Sequence, residues 1–403
     1  MPERSVIIKV IRLLTAMLGA QLLTLSLANG SFAGTAAPET LLISHADGQR
    51  DETDRLQQCL LTLALGPAAP SALADERGQM AEERGARYLA QPPQAGTIAT
   101  NRLLRLITLN VNREGAADAH LIITPSGKTM LLDAGWPPPG DGANVILAFL
   151  KREGNLQIDW MIASHPHNDH IGGMPELILS PEVNVKALLW SLPPPEQIKK
   201  LDSESVQECE EWTGKVRKAC TQRGVPIREI KEGEVVDFGD GIRGHILAAA
   251  DPNFDCPNYI NNHSIVMRLT YGKFSEMFCG DAGFEEENRI MSRTKDLNCD
   301  VLKIGHHAGA GSTSKAWAKA IDAKIGIAPM PKYLSEDERG LRVWRQLLPT
   351  GIKIYRTWEC GHIEIQTDGN RFWLRTEKSP SHPESSLIGV GRTTQSDLAY
   401  LSQ

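Results

Sequence analysis

Residues 164–174 read Ser-His-Pro-His-Asn-Asp-His-Ile-Gly-Gly-Met and pack His165, His167, Asp169 and His170 into six positions, directly after the apolar run Trp160-Met161-Ile162-Ala163. Three imidazoles and a carboxylate supply the N and O donors that zinc takes, and the same set suits manganese or iron. A tight loop at a strand end can aim alternate side chains at two neighbouring ions. Further candidates recur where apolar runs start or stop: His263 before 264–271, Asp281 after 274–279, and His306 and His307 after 301–304. A two-metal hydrolytic site needs several such ligands converging from different strand ends, with a position left for water. Two divalent ions would lower the pKa of a water between them towards about 7 and yield hydroxide without a strong base. Asp169 is then a ligand first and a proton shuttle as the leaving group departs.

The elements that must position these residues alternate. Strand-like runs at 104–111, 119–123 and 129–133 form a meander separated by Gly and Pro-Ser-Gly turns, and a helical period follows at 143–152. The spacing predicts further strands at 158–163, 185–190, 235–238, 242–247, 264–271, 274–279, 301–304, 352–357, 363–367 and 372–375. Helices are expected at 175–179, 285–292, 315–321 and 337–348, with a charged, partly exposed helical segment over 196–223. Mixed strands with helices on both outer sides make a layered α/β architecture. Residues 34–102 read as an accessory helical leader, with helical stretches at 53–65 and 73–89, and the Ser-, Pro- and Gly-rich residues 376–403 as a disordered tail.

The 403 residues, 41% hydrophobic and 23% charged, have the composition of a globular chain. Arg4, Lys9 and Arg12 precede a largely apolar stretch from Leu13 to Ala28 and then Ser31-Phe32-Ala33, the pattern of a secretory signal peptide cleaved near Ala33. The expected location is therefore periplasmic or secreted. At 16 residues broken by Thr15, Gln21, Thr24 and Ser26, the stretch is short for a bilayer span, and no later apolar run reaches that length. Cleavage removes three basic residues and one acidic one and takes the net charge from −6 to −8, which argues against tight binding of a nucleic-acid backbone. Seven cysteines include no CxxC pair. A Cys209–Cys220 disulfide would need a helix break at Thr213-Gly214, because eleven residues of straight helix span about 16 Å.

The order Asp133, His165-x-His167-x-Asp169-His170, Gly280-Asp281, His306-His307 resembles the metallo-β-lactamase superfamily. Within it, several strings are similar to the extracellular hydrolase domain of the ComEC competence proteins: 164–173, Asn261-Asn262-His263-Ser264-Ile265-Val266, Phe278-Cys279-Gly280-Asp281, 300–307, Tyr355-Arg356-Thr357 and Gly361-His362-Ile363. The resemblance covers about 103–375 and implies a four-layered αββα sandwich. It implies His165, His167 and His263 on one ion, Asp169, His170 and one of His306 or His307 (His307 favoured) on a second, and Asp281 bridging and catalytic beside Asp169. Asp133 would hold the loop or a ligand from behind. Thr357 and His362 stand as substrate candidates, while His120, His245 and His382 read as ordinary surface or core histidines and Asp118 as a turn residue. Where the family carries Gly and Ser after the doublet, this chain reads Ala308-Gly309-Ala310-Gly311-Ser312.

The expected function is an exported metal-dependent hydrolase acting on phosphodiester bonds through a metal-bridged hydroxide. The same ligands would also serve a carboxylic ester, lactone or β-lactam amide. A third reading is a noncatalytic uptake-accessory protein that keeps the fold.

Overall fold

The structure, a computed structural model, describes residues 88–89, 103–113, 115–309 and 311–378. The leader apart from 88–89, the signal segment, the tail beyond 378 and His382 lie outside the described residues. Tyr88–Leu89, assigned by the sequence to the end of a helix, instead pair as a parallel strand with Phe372 and Trp373. No described helix is long and apolar enough to cross a membrane.

Two sheets form the middle layers. In spatial order the nine-stranded sheet runs Tyr88–Leu89, Phe372–Thr376, Ile363–Thr367, Leu104–Thr108, His120–Ile123, Thr129–Leu132, Trp160–Ala163, Leu188–Trp190 and Ile227–Glu229. The seven-stranded sheet runs Val235–Gly239, Ile242–Ala248, Val266–Tyr271, Phe274–Phe278, Val301–Lys303, Ile325–Ala328 and Lys353–Arg356. Alternation along each strand decides which side chains face which layer. Leu104, Leu106, Ile122, Met130 and Ile162 meet Phe238, Leu269, Phe278, Val301 and Ile325 in a core between the sheets. On the outer side of the larger sheet, Ile107, Leu121, Leu131 and Met161 pack against Ile146 and Phe149 of the helix Gly142–Glu153 and Val216 of the helix Val206–Arg223. On the other outer side, Met277, Leu302 and Ala328 pack against Ile290, Trp317 and Val343 from three helices. The layers are therefore αββα, as expected from the sequence.

Cys209 and Cys220 share one unbroken helix, Val206–Arg223, and both are free buried thiols. Thr213-Gly214 makes no break, because Thr213 Oγ1 donates to the Cys209 carbonyl at 2.6 Å and the helical bonding continues through it.

One residue opposes this core. Glu276 stands opposite Leu269 and Val301 in register, so it shares their face between the sheets. It is 1% exposed, and its Oε2 has no hydrogen-bond partner among the described residues. Burial pushes its carboxyl from the usual 4.5 up to about 8. The folded state therefore keeps a proton that the unfolded chain gives up near 4.5, and stability falls as pH rises through that window, by an amount on the order of a few kcal/mol. Glu276→Leu should remove this slope: its stability gain over the parent in denaturant unfolding should be larger at pH 8 than at pH 5. An equal gain at both pH values would contradict the assignment.

Candidate metal centre

Several of the expected ligands meet at one end of the sandwich. The strand Trp160–Ala163 delivers Ser164 and His165, and His167 continues in extended backbone with φ −71° and ψ 151°. Alternation puts His165 and His167 on the same side, with His165 Nε2 3.0 Å from His167 Nδ1. A single helical turn, Asn168–Ile171, then brings round Asp169 and His170. The two glycines that follow permit close approach: a Cβ on Gly173 would lie 2.3 Å from the Ala134 carbonyl oxygen. From the facing sheet, Gly280 turns the chain at φ +48° with Ser264 and Ser164 pressed against it, and Asp281 follows.

His306, His307 and Ala308 occupy the left-handed region with φ 47°, 49° and 63°. Each non-glycine residue there costs roughly 1–2 kcal/mol, and such strain collects at functional sites. The turn is held by His306 N–H to the Gly280 carbonyl at 3.2 Å, Gly305 N–H to Thr313 Oγ1 at 2.9 Å, and the Glu287 carboxylate, which accepts from Thr313 N and Ser314 N. Its effect is to bring both rings to one carboxylate, with His306 Nε2 3.7 Å and His307 Nε2 3.5 Å from Asp281 Oδ2. An extended chain would send neighbouring side chains to opposite sides.

Asp169, His170, Asp281 and His307 place donor atoms within 4.8 Å of one another. His170 Nε2 is 3.2 Å from His307 Nε2 and 3.3 Å from Asp281 Oδ2, and Asp169 Oδ2 is 3.4 Å from His307 Nε2. A tetrahedron built on zinc bonds of 2.0–2.2 Å has edges of about 3.3 Å; these three spacings are close to that, while His170 Nε2 to Asp169 Oδ1 is longer at 3.9 Å. Behind the donors, Asp133 Oδ2 lies 2.8 Å from His170 Nδ1, and the same carboxylate accepts Ser164 N–H at 2.8 Å and Ser164 Oγ–H at 2.7 Å. It holds both the loop and a ligand. The open side is rimmed by Asp169, 19% exposed, and His306, 38% exposed.

Charge is unevenly divided. Burial opposes the charged form of His170 and His307, but Asp281 and the carboxylates around them prevail and hold both rings well above the usual histidine range. Burial and the neighbouring His170 and His167 push His165 well below it, leaving a neutral ring. Burial also resists ionisation of Asp118 and Asp281, yet Lys303 beside the first and His307 beside the second keep both well below the carboxylate range.

His263 is placed otherwise than expected. His263 sits in a 3-10 turn, Asn261–His263, with Nδ1 2.6 Å from the Tyr259 carbonyl and Nε2 2.9 Å from that of Asp251. Both nitrogens are engaged away from the cluster, so it has no free donor for an ion. Thr357 is fully buried, bonded to Met330 and Asn112, and braces strand ends. His362 accepts from Asn110 N–H at 3.0 Å and packs edge-on against Phe149.

Two residues were missed. Asp118, read as a turn residue, is 1% exposed, with Oδ1 3.1 Å from His307 Nδ1. Lys303 is equally buried, 2.5 Å from Asp118 Oδ2 and 3.5 Å from Asp281 Oδ1. The available signal was a lysine inside the apolar strand Val301-Leu302-Lys303-Ile304, a position that demands an anionic partner.

Residues 112–187 match the family model of the metallo-beta-lactamase superfamily. The chain is 31% identical over 225 residues to ComE operon protein 3 of Bacillus subtilis (strain 168), covering 56% of this chain and 26% of the relative. It is 26% identical over 216 residues to the uncharacterized protein YcaI of Escherichia coli (strain K12), covering 53% and 24%. The chain thus spans about a quarter of the length of these curated relatives. Among solved structures it is similar to a diphosphatase from the PhnP family, with 14% identity, TM-score 0.36, and coverage of 62% of this chain and 94% of that one.

Two outcomes follow from the geometry. A cation entering between His170 and His307 must displace their protons, so metal affinity should rise with pH, and calorimetry in buffers of different ionisation enthalpy should register proton release; affinity flat from pH 5 to 8 with no release would contradict this. His263→Gln should keep the metal content of the parent by elemental analysis, whereas a loss of bound metal would restore His263 as a ligand.

Proposed function

We propose that this chain, whose residues 112–187 match the model of the metallo-beta-lactamase superfamily, is a metal-dependent hydrolase in which Asp169, His170, Asp281 and His307 hold a divalent cation. The observation that carries this reading is the convergence of those four residues, whose donor atoms all lie within 4.8 Å of one another. When bound, the ion supplies Lewis acidity and lowers the pKa of water. Zinc, manganese and iron all suit two imidazoles and two carboxylates.

The chain's own residues divide the remaining work. Asp133 fixes the His170 ring so that Nε2 faces the cluster. His165 and His167, neighbours at 3.0 Å beside His170, would hold a second cation, with Asp281 serving both ions, as the resemblance implies. Asp169, at the open rim, can carry a proton between the site and a departing group. The reading favours phosphodiester substrates because the motifs resemble those of the ComEC hydrolase domain and paired cations suit in-line phosphoryl displacement. Export is supported by the basic and then apolar pattern of residues 4–28.

The test is turnover of bis-p-nitrophenyl phosphate, single-stranded DNA, a p-nitrophenyl ester and nitrocefin by the purified chain. Phosphodiester hydrolysis should vanish with a chelator, return with zinc or manganese, and fall to background in Asp281→Asn and His170→Ala. Turnover of nitrocefin or the ester alone would move the substrate to acyl bonds. Chelator-insensitive turnover, or none on any substrate with metal present, would overturn the hydrolase reading.

A further inference from the structure

Lys303 occupies an unusual place. The strand Val301–Lys303 is central in its sheet, and Val301 points into the core between the sheets while Leu302 points to the outer core. Alternation returns Lys303 to the inner face, at the end where Asp281 and His307 lie. The ammonium is 1% exposed and has three neighbours for its three protons: Asp118 Oδ2 at 2.5 Å, the Gly280 carbonyl at 2.6 Å and Asp281 Oδ1 at 3.5 Å. Each of these is tied to a residue of the metal cluster.

The two oxygens of Asp281 are thereby distinguished. Oδ1 faces Lys303, whereas Oδ2 faces His170, His306 and His307 at 3.3, 3.7 and 3.5 Å. Asp118 is divided in the same way, with Oδ2 on Lys303 and Oδ1 beside His307 Nδ1, whose proton goes to the Pro329 carbonyl at 3.0 Å. His307 Nε2 is what remains for the site.

We propose that Lys303 is a positioning residue of the metal centre: by holding the rear oxygen of Asp281 and the carboxylate flanking His307, it keeps one Asp281 oxygen and His307 Nε2 aimed at the cation. The inference rests on the metal-binding reading above. Two effects compete. A fixed positive charge near a cation repels it, so if Coulomb repulsion dominated, removing the lysine would tighten metal binding. If positioning dominates, removal frees Asp281 to rotate and leaves Asp118 as an uncompensated buried charge, and binding weakens. The close contacts to two carboxylates place the positive charge where it is already neutralised, which favours positioning.

Cobalt(II) titration of the full chain followed by visible absorption decides between them, because the d–d bands report coordination geometry and not merely folding. Lys303→Met should lose affinity by roughly 10- to 100-fold, the usual effect of removing a residue that orients ligands, with altered d–d bands and an unchanged far-ultraviolet circular dichroism spectrum. Lys303→Arg should recover part of the loss. If Lys303→Met does not fold, the double variant Asp118→Asn/Lys303→Met removes both buried charges and decides instead: folded with weak cobalt binding supports the proposal. A folded single or double variant that binds cobalt as tightly as the parent, or more tightly, with the parent spectrum overturns it. Failure of the parent itself to bind cobalt would refute the metal-site reading, a separate result.

Discussion

The compensation of buried negative charge is the constraint on which this molecule turns. Asp118, Asp133 and Asp281 are each at most 2% exposed, Asp169 joins them at 19%, and all four meet at one end of the sandwich. An isolated buried carboxylate costs several kcal/mol, so each needs a cation or hydrogen-bond donors. Lys303 answers for Asp118 and half of Asp281, and Ser164 and His170 answer for Asp133. The inner oxygens of Asp281 and Asp169 are left to His170 and His307, which are held protonated by those same acids. A divalent ion bound there would replace those protons with a charge that satisfies donors on every side, which would link the fold and the metal energetically.

The sandwich serves this arrangement by bringing strand ends from both sheets to one edge. Asp133 and His165 leave the larger sheet, Asp281 and His307 leave the smaller one, and Ser164 joins the two through its carbonyl, which accepts Ile265 N–H at 2.8 Å. Backbone strain is concentrated at the last of these ends. Three successive left-handed residues are tolerated because the Glu287 carboxylate and the Thr313 and Ser312 hydroxyls bind the loop on the far side. Part of the rigidity of this loop thus comes from Glu287 of the helix Phe284–Arg293, which binds the backbone of Thr313 and Ser314.

Much of this was legible in the sequence because the alternating runs are long and the ligand loop is local. The strands from Leu104 to Phe372 and the loop His165 to His170 need only nearest-neighbour reasoning. The strand Ile325–Ala328 was not anticipated: its four residues include Gly326, where a Cβ would meet Ile352 and Ile304 side chains at 3.0 and 3.1 Å, so packing selects a residue of poor strand propensity. Ile227–Glu229 is a three-residue edge strand with no buried position, which leaves no hydrophobic pattern to read. Asp118 and Lys303 escaped because the partners that explain them lie far away in sequence, Asp118 against Lys303 and His307, and Lys303 against Asp118 and Asp281. His263 misled for the opposite reason: its position before a strand suggested a ligand, but a short 3-10 turn directs it to two backbone carbonyls.

The most direct measurement is diffraction from crystals soaked in zinc, with data collected on both sides of the zinc absorption edge. The account predicts an anomalous peak about 2 Å from His170 Nε2, His307 Nε2 and one oxygen each of Asp169 and Asp281. A fully soaked crystal with no peak there, or with zinc bound only elsewhere on the chain, would contradict it.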